Sequence, residues 1–444
     1  MKISVISVFP QIHEPFIQHS LIKRAIDQKL IEINLVSFSQ YCAPKERIDE
    51  PTCGPGAGMI LKPTVVQDAI DDCEKRWGPG YKIFFSPQGT KLSQPVLEQL
   101  AAELFLATPP MRPYPFERTA ASHLILVCSR YEGMDARVEQ HCADAIISVG
   151  DYVLMGGDIP AQILLEGLLR LFPAIVGNQE SVEHDSFSGP FLDHPEYGLP
   201  LEWNGMQVPD IVRSGNHAAI AAWRKKEACK KTMLKRFDWF SFARPSQDDI
   251  QLAQSCIPVH YVALMHTEVN LKDGTVGNTS ITSIDLHDTA RSCVTYGIKN
   301  FFMVSPLHDQ QAIMATFLKF WHSPTGQEYN ASRYDAVSRV RSVFSLDDVI
   351  AQITELEGQA PLLIATSAKT HEHGQKIDYQ DKEQVWQSGR PVLFLFGTGQ
   401  GLAEHIITRC DFLLPPVRGL TTYNHLSVRS AIAIILDRWL GLQR

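Results

Sequence analysis

The chain has 444 residues, which at roughly 150 residues per domain leaves room for about three domain-sized pieces. Apolar residues make up 44% and charged residues 20%, which excludes wholesale disorder. Lys and Arg number 41 against 49 Asp and Glu, a net charge of -8, so the chain as a whole is no basic coat for nucleic acid, although a local basic patch fits inside that balance.

No apolar run reaches the ~18 residues that a membrane helix needs. The opening run, Met1 to Val8, is short and is ended by Pro10; it reads as a buried first strand rather than an export signal. Cysteines are scattered at positions 42, 53, 73, 128, 142, 229, 256, 293 and 410, with no Cys-x-x-Cys. Without an export signal they read as reduced thiols of a cytoplasmic protein.

In chain order, Met1–Val8, Tyr81–Phe85 and Leu124–Cys128 are β-branched or aromatic runs, each followed by turn residues and a helical pattern. That alternation predicts an α/β fold with parallel strands. The loop from Ser148 to Pro160 is Gly-rich yet apolar, and Asp158 and Pro160 suit the start of a helix running to about Phe172. Backbone groups of such a loop can read the edges of an adenine while Tyr152 and Leu154 pack around it. Arg170 falls in the last turn of that helix, where a cation is favoured. Residues 177–200, rich in Gly and Pro, read as a linker or lid.

Residues 203–245 hold nine Lys or Arg and three acids, a local net charge of +6. They read as a small helical basic domain, residues 201–250, with Arg224, Lys225 and Lys226 as phosphate contacts; a solvated helix face is the plainer reading. Strand-like runs resume at Val259–Met265, Phe301–Val304, Pro361–Thr366 and Pro391–Phe396, and an apolar stripe predicts a last helix over Ser427–Leu440. Gly397-Thr398-Gly399-Gln400-Gly401 follows a strand, but it is neither a dinucleotide fingerprint nor a P-loop. It either lets a ligand approach the backbone closely or is a plain tight turn. His371-Glu372-His373 lacks the spacing of a zinc helix and reads as an exposed polar loop, so no metal ligands are assigned. No Gly-x-Ser-x-Gly hydrolase elbow occurs.

Residues 1–245 resemble the bacterial tRNA (guanine-N1)-methyltransferases of the TrmD type. The resemblance rests on Ser86-Pro87-Gln88-Gly89, Arg130-Tyr131-Glu132-Gly133-Met134-Asp135, Gly150 to Gly157, Arg170-Leu171-Phe172-Pro173, Asp185-Ser186-Phe187 and Val208–Arg224, in family order. Two departures stand out: Ser129 where the family usually has Gly, and Thr52 to Gly58 where it usually has a Tyr-Gly-Gly-Gly-Pro-Gly loop. The resemblance implies a trefoil-knotted SPOUT fold and a homodimer that shares its active sites. It implies S-adenosyl-L-methionine as cofactor, tRNA as partner with methylation at N1 of guanine 37, and an associated magnesium requirement. It places the cofactor against Pro87, Ser129, Tyr131, Glu132, Ser148, Val149, Gly150, Tyr152, Val153, Leu154, Gly156, Gly157 and Pro160.

The chemistry fits that implication. Guanine N1 bears a proton at neutral pH, so a base must remove it as the methyl arrives. Asp185, carried over the site by the linker, is the expected base, strengthened by burial on closure. Arg170 would stabilise the charge moving toward guanine O6. The target base must leave its stack, which is cheaper in a loop.

Residues 258–444 resemble SpoU/TrmH-type SPOUT domains through Asp288-Thr289-Ala290-Arg291 with Tyr296-Gly297, Thr366-Ser367-Ala368-Lys369, Gly397 to Leu402, and Pro416–Ile435. The candidate residues there are Arg291, Thr366, Gly397, Leu426 and Ser427. An acid usual in the third block is missing, so the second half is a second methyltransferase, an RNA-docking module or a dimerisation domain. The expected architecture is therefore two knotted SPOUT domains, residues 1–176 and 257–444, with the 177–200 linker and the helical basic domain between them.

Overall fold

A computed structural model describes residues 1–55, 58–105, 123–172, 174–176 and 185–443. The linker residues 177–184, Pro173 and the pair 56–57 of the departing loop lie outside these. The described residues form two compact units, Met1–Ser188 and Gly189–Arg444.

The first unit is built on a five-stranded parallel sheet. Its strands are β1 (Lys2–Ser7), β2 (Glu32–Ser37), β3 (Tyr81–Lys91), β4 (His123–Val127) and β5 (Ala145–Ser148), in the order β2-β1-β4-β3-β5. Alternation along β1 sends Ile3 and Val5 to one apolar layer and Ile6 to the other, so helices cover both faces. Among them are α1 (Ser20–Asp27), α2 (Pro63–Trp77), α3 (Gln94–Phe105), α4 (Ala136–Cys142) and α5 (Asp158–Leu171). β3 shifts register against β5 between Phe85 and Thr90. That irregularity carries Ser86 to Gly89 out of the ladder, toward the loop after β5.

The second unit repeats the plan with six parallel strands. These are β6 (His260–Met265), β7 (Phe301–Val304), β8 (Val340–Val343), β9 (Leu362–Ala365), β10 (Val392–Gly397) and β11 (Phe412–Leu413), in the order β8-β7-β6-β10-β9-β11. Val262 and Leu264 of β6 face one core, and Tyr261, Ala263 and Met265 the other.

The basic segment is helical, as expected: α6 (His217–Lys235) and α7 (Gln247–Ser255) flank a short helix at Phe237–Phe242. Its packing departs from the expected division. Cys229, Met233, Phe240 and Ala253 belong to the same buried cluster as Phe301, Trp386 and Trp439. The apolar side of α6 is therefore covered by the second sheet's helical layer, and the boundary falls at Ser188 instead of on either side of a separate helical domain. All nine cysteines are free thiols. Among the described residues no helix is long and apolar enough to cross a membrane.

Candidate active site

In the first unit the irregular middle of β3 and the loops after β4 and β5 converge on a cavity of about 530 Å³, within the usual range of small-ligand sites, about 300–1,000 Å³. Every cofactor contact expected from the sequence, from Pro87 and Ser129 through the Ser148–Gly157 loop to Pro160, lines it. The two glycines are needed for the loops to close on each other. A Cβ on Gly157 would lie 2.9 Å from Cys128 Cα, and one on Gly156 2.8 Å from the Ser129 carbonyl oxygen. The Gly157 N–H donates to Ser129 O at 2.8 Å, which fastens the contact. The Val149–Met155 stretch stays irregular, so its backbone is not consumed by a ladder. Tyr152 turns back to donate to Val149 O at 3.2 Å.

Asp158 departs from its expected capping role. It is the first residue of α5 and makes no cap; its carboxylate is buried and collects Ser7 Oγ, His13 Nε2 at 3.1 Å and Arg130 Nε at 3.0 Å. Burial raises its pKa, but these partners outweigh burial and hold the carboxyl below its ordinary range. Arg130 is thereby locked at the cavity wall, its guanidinium over the Phe9 ring. Sequence reasoning missed this hub because Ser7, His13 and Asp158 are brought together only by the sheet. It also missed Glu139 and Gln88, which line the cavity and bond to each other at 2.8 Å; burial raises the Glu139 pKa.

The donors present bear on the magnesium ion that the sequence resemblance implies. His13, Cys128 and Asp158 form the one group of three potential metal ligands among the described residues. It does not fit: magnesium takes oxygen ligands and keeps several waters, whereas this site is buried and offers a thiol, an imidazole and a carboxylate already bound by Ser7 and Arg130.

Arg170 and Asp185 do meet. Arg170 Nε donates to Asp185 Oδ2 at 2.9 Å and Nη2 donates to the same oxygen. Neither residue lines the cavity, and both side chains are nearly half exposed. Of the cations expected to hold phosphate, Arg224 pairs with Glu196 and Lys225 with Asp249 at 2.8 Å, while Lys226 has no ion-pair partner among the described residues.

The second unit holds a larger cavity, about 940 Å³, in the equivalent place after β10. Thr366, Gly397, Leu426 and Ser427 line it as expected; Arg291 does not, standing exposed on helix α8 (Ser283–Thr295). Asp285, Lys369 and Arg418 supply the charges instead. His266 is fully buried at this cavity, and burial pushes its pKa down to about 4, against the Asp285 charge and the Ser280 carbonyl. His371, expected in an exposed loop, is bonded on both ring nitrogens, to Ser367 and Glu404.

Comparison with known proteins assigns one family to each cavity, the first match running past Ser188 to residue 241. The family described as tRNA (Guanine-1)-methyltransferase TrmD matches residues 1–109 and 114–241. The family described as SAM-dependent RNA methyltransferase matches residues 259–441. A protein of Nitratidesulfovibrio vulgaris, named tRNA (guanine-N(1)-)-methyltransferase, is 34% identical over 99% of both chains. One of Oleidesulfovibrio alaskensis with the same name is 33% identical over the same share. A namesake from Staphylococcus carnosus is 37% identical over 54% of this chain and 90% of its own. The chain belongs to the TrmD family of S-adenosylmethionine-dependent tRNA (guanine-N1)-methyltransferases and carries a SAM-dependent RNA methyltransferase domain after it.

Proposed function

We propose that the chain methylates N1 of guanine 37 in tRNA, the base next to the anticodon, using S-adenosyl-L-methionine bound in the first unit's cavity. The observation that carries this reading is the loop pair 128–130 and 148–157, closed by glycine contacts around a cavity of small-ligand size. Its apolar walls and spare backbone groups suit an adenine and a thioether. When bound, the cofactor supplies an electrophilic methyl group on a sulfonium.

The chain's own residues supply the rest. Asp185 accepts the N1 proton as N1 attacks. Arg170 leaves Asp185 for guanine O6, where the charge released by deprotonation collects. Their mutual pairing holds both in a resting arrangement outside the cavity, so substrate entry must separate them. The basic face of α6 holds the stem by its phosphates, with Lys226 free to engage first.

We further infer a homodimer. Supporting it, Val153 is 90% exposed and Met155 86% in the loop that lines the cavity with Tyr152 and Leu154, and Ile159 and Ile163 are exposed one turn apart on α5. The trefoil knot of the SPOUT fold and a cytoplasmic location follow from the same reading.

The test is methyl transfer by the full chain to tRNA transcripts carrying guanine or adenine at position 37, with modified nucleosides mapped. N1-methylguanine at position 37 is expected in the guanine transcript; a guanine transcript with no N1-methylguanine at position 37 overturns the assignment.

A further inference from the structure

We propose that Ser367, His371 and Glu404 form a proton relay at a second methyl-transfer site, which acts on an RNA oxygen or ring nitrogen that bears a proton. The proposal rests on the reading of the second unit as S-adenosylmethionine-dependent.

Ser367 follows β9 and lines the second cavity. Its Oγ lies 2.8 Å from His371 Nε2, and His371 Nδ1 lies 2.9 Å from Glu404 Oε2. Glu404 is the first residue of helix α9 (Glu404–Arg409), reached from the far side of the Gly397–Gly401 loop. For the neutral imidazole the directions of these bonds follow from the carboxylate. A carboxylate only accepts, so the imidazole proton sits on Nδ1 and Nε2 carries a lone pair. The Ser367 hydroxyl therefore donates to Nε2. One lone pair of Oγ accepts the Lys369 backbone N–H at 3.0 Å, and the other is left for a donor inside the cavity.

A nucleophile beside a base, with the base held by a third group, is the arrangement that activates weakly acidic groups. Here Ser367 is the conduit. An RNA O–H or N–H donates to Ser367 Oγ. As the RNA atom bonds to the methyl carbon, its proton passes to Oγ and the serine proton passes to His371 Nε2. The carbon–sulfur bond breaks with its pair left on sulfur. The positive charge lost from the sulfonium reappears as an imidazolium, facing Glu404. Glu404 is exposed enough for that proton to leave to water, its side chain being 53% exposed. An RNA nitrogen with a free lone pair has no proton to give and gains nothing from the relay.

Two imidazoles line the cavity itself, His266 and the exposed His425, whose ring packs on Tyr423; His266 does not serve. Its Nδ1 contacts Thr279 Oγ1 at 3.1 Å, Thr279 contacts Thr398, and the Thr398 hydroxyl donates to Met265 O at 2.9 Å. That chain ends inside the sheet and offers no exit to water. Around His371 the charged neighbours are Glu404, Lys369 of its own loop, Lys272 of the hairpin after β6, and Lys376 and Asp378 farther along the same segment.

The experiment uses the full chain. RNA is taken from cells whose only copy carries Gly397→Val; a Cβ there would lie 2.4 Å from Leu402 N, which disrupts the cofactor loop. That RNA is offered with labelled S-adenosylmethionine to wild type, His371→Gln, Ser367→Ala and Glu404→Gln. Wild type is expected to incorporate label at an atom that bore a proton. His371→Gln keeps an acceptor for Ser367 but cannot hold a proton, and should be slower by about 100-fold or more, with S-adenosylmethionine binding by dialysis unchanged. Glu404 is a positioning residue: its carboxylate holds the imidazole proton on Nδ1, so Glu404→Gln should lower kcat by about tenfold without changing KM or S-adenosylmethionine binding. If wild type labels the RNA and His371→Gln matches it, the relay is wrong while the methyltransferase reading stands. A product methylated at a lone-pair nitrogen also overturns the relay. If wild type incorporates nothing, the second unit is no methyltransferase and the proposal falls with it.

Discussion

Acidification should weaken the second unit through His260. This residue starts β6 and is buried among Trp386, Trp439 and Phe394. Both indole N–H groups donate to its Nε2, at 3.1 and 3.2 Å. A proton on Nε2 would face two donors and no acceptor. Burial above all, with the Lys382 charge adding and the Pro258 carbonyl opposing, holds the imidazole pKa down at about 3. The unfolded chain titrates near ~6.5, so it binds the proton first. Stability from this group is thus intact above that pH and is lost progressively as pH falls from there toward the folded value. Going from about pH 7.5 to about pH 5 removes about 2 kcal/mol through His260, since each pH unit is worth about 1.4 kcal/mol. His266, lowered to about 4, removes a similar amount, about 2 kcal/mol. The assay is urea unfolding of the full chain at both pH values, read by tryptophan fluorescence with the two units fitted as separate transitions. His260→Gln keeps an uncharged acceptor for the indoles and should cut the acid loss of the second-unit transition by about 2 kcal/mol. If the variant loses as much stability as wild type between those pH values, His260 is not held neutral and the reasoning fails.

Three further outcomes are expected. Asp185→Asn should reduce N1-methylguanine formation by about 100-fold or more, with S-adenosylmethionine affinity unchanged because Asp185 lies outside the cavity; near-normal turnover would remove it as the base. Gly157→Ala places a Cβ 2.9 Å from Cys128 Cα, so calorimetry should show cofactor affinity falling about tenfold or more, roughly 1.4 kcal/mol, with tRNA binding intact. Lys226→Glu should raise KM for tRNA and flatten its salt dependence without changing the unfolding midpoint. Lys225→Glu should also destabilise, since it breaks the pair with Asp249; equal effects of the two on stability would refute the distinction.

Much of the scaffold was legible in the sequence because it is local. The runs at Met1–Val8, Phe301–Val304 and Pro391–Phe396 became strands within a residue or two, and the stripe ending at Leu440 became a helix capped by Ser427. The strands at Glu32–Ser37, Ala145–Ser148 and Val340–Val343 escaped notice. They are short and carry Glu, Asn, Ser or Arg, so their apolar signal is broken. The cofactor loops were legible through their glycines and family order. What was not legible depends on residues far apart in the chain: Ser7 with Asp158, Ser367 with Glu404, His260 with Trp439. Each side chain alone is an ordinary polar residue, and only the strand order gives it a partner.

The same non-local packing governs how the two activities can be separated. Charge made residues 203–245 stand out as a piece of their own, because composition changes abruptly there. Charge, however, reports only the solvated side of α6. The opposite side buries Cys229 and Met233 against the core that contains Trp386 and Trp439, and Lys225 ties α6 to α7 through Asp249. A chain cut near residue 250 would leave that apolar face in water and remove Ala253 from the cluster. Loss of guanine methylation in such a fragment would therefore report unfolding of the helices, not a catalytic need for the second site. Point changes in the intact chain, Asp185→Asn for one cavity and Gly397→Val for the other, leave the shared core in place and can separate the two.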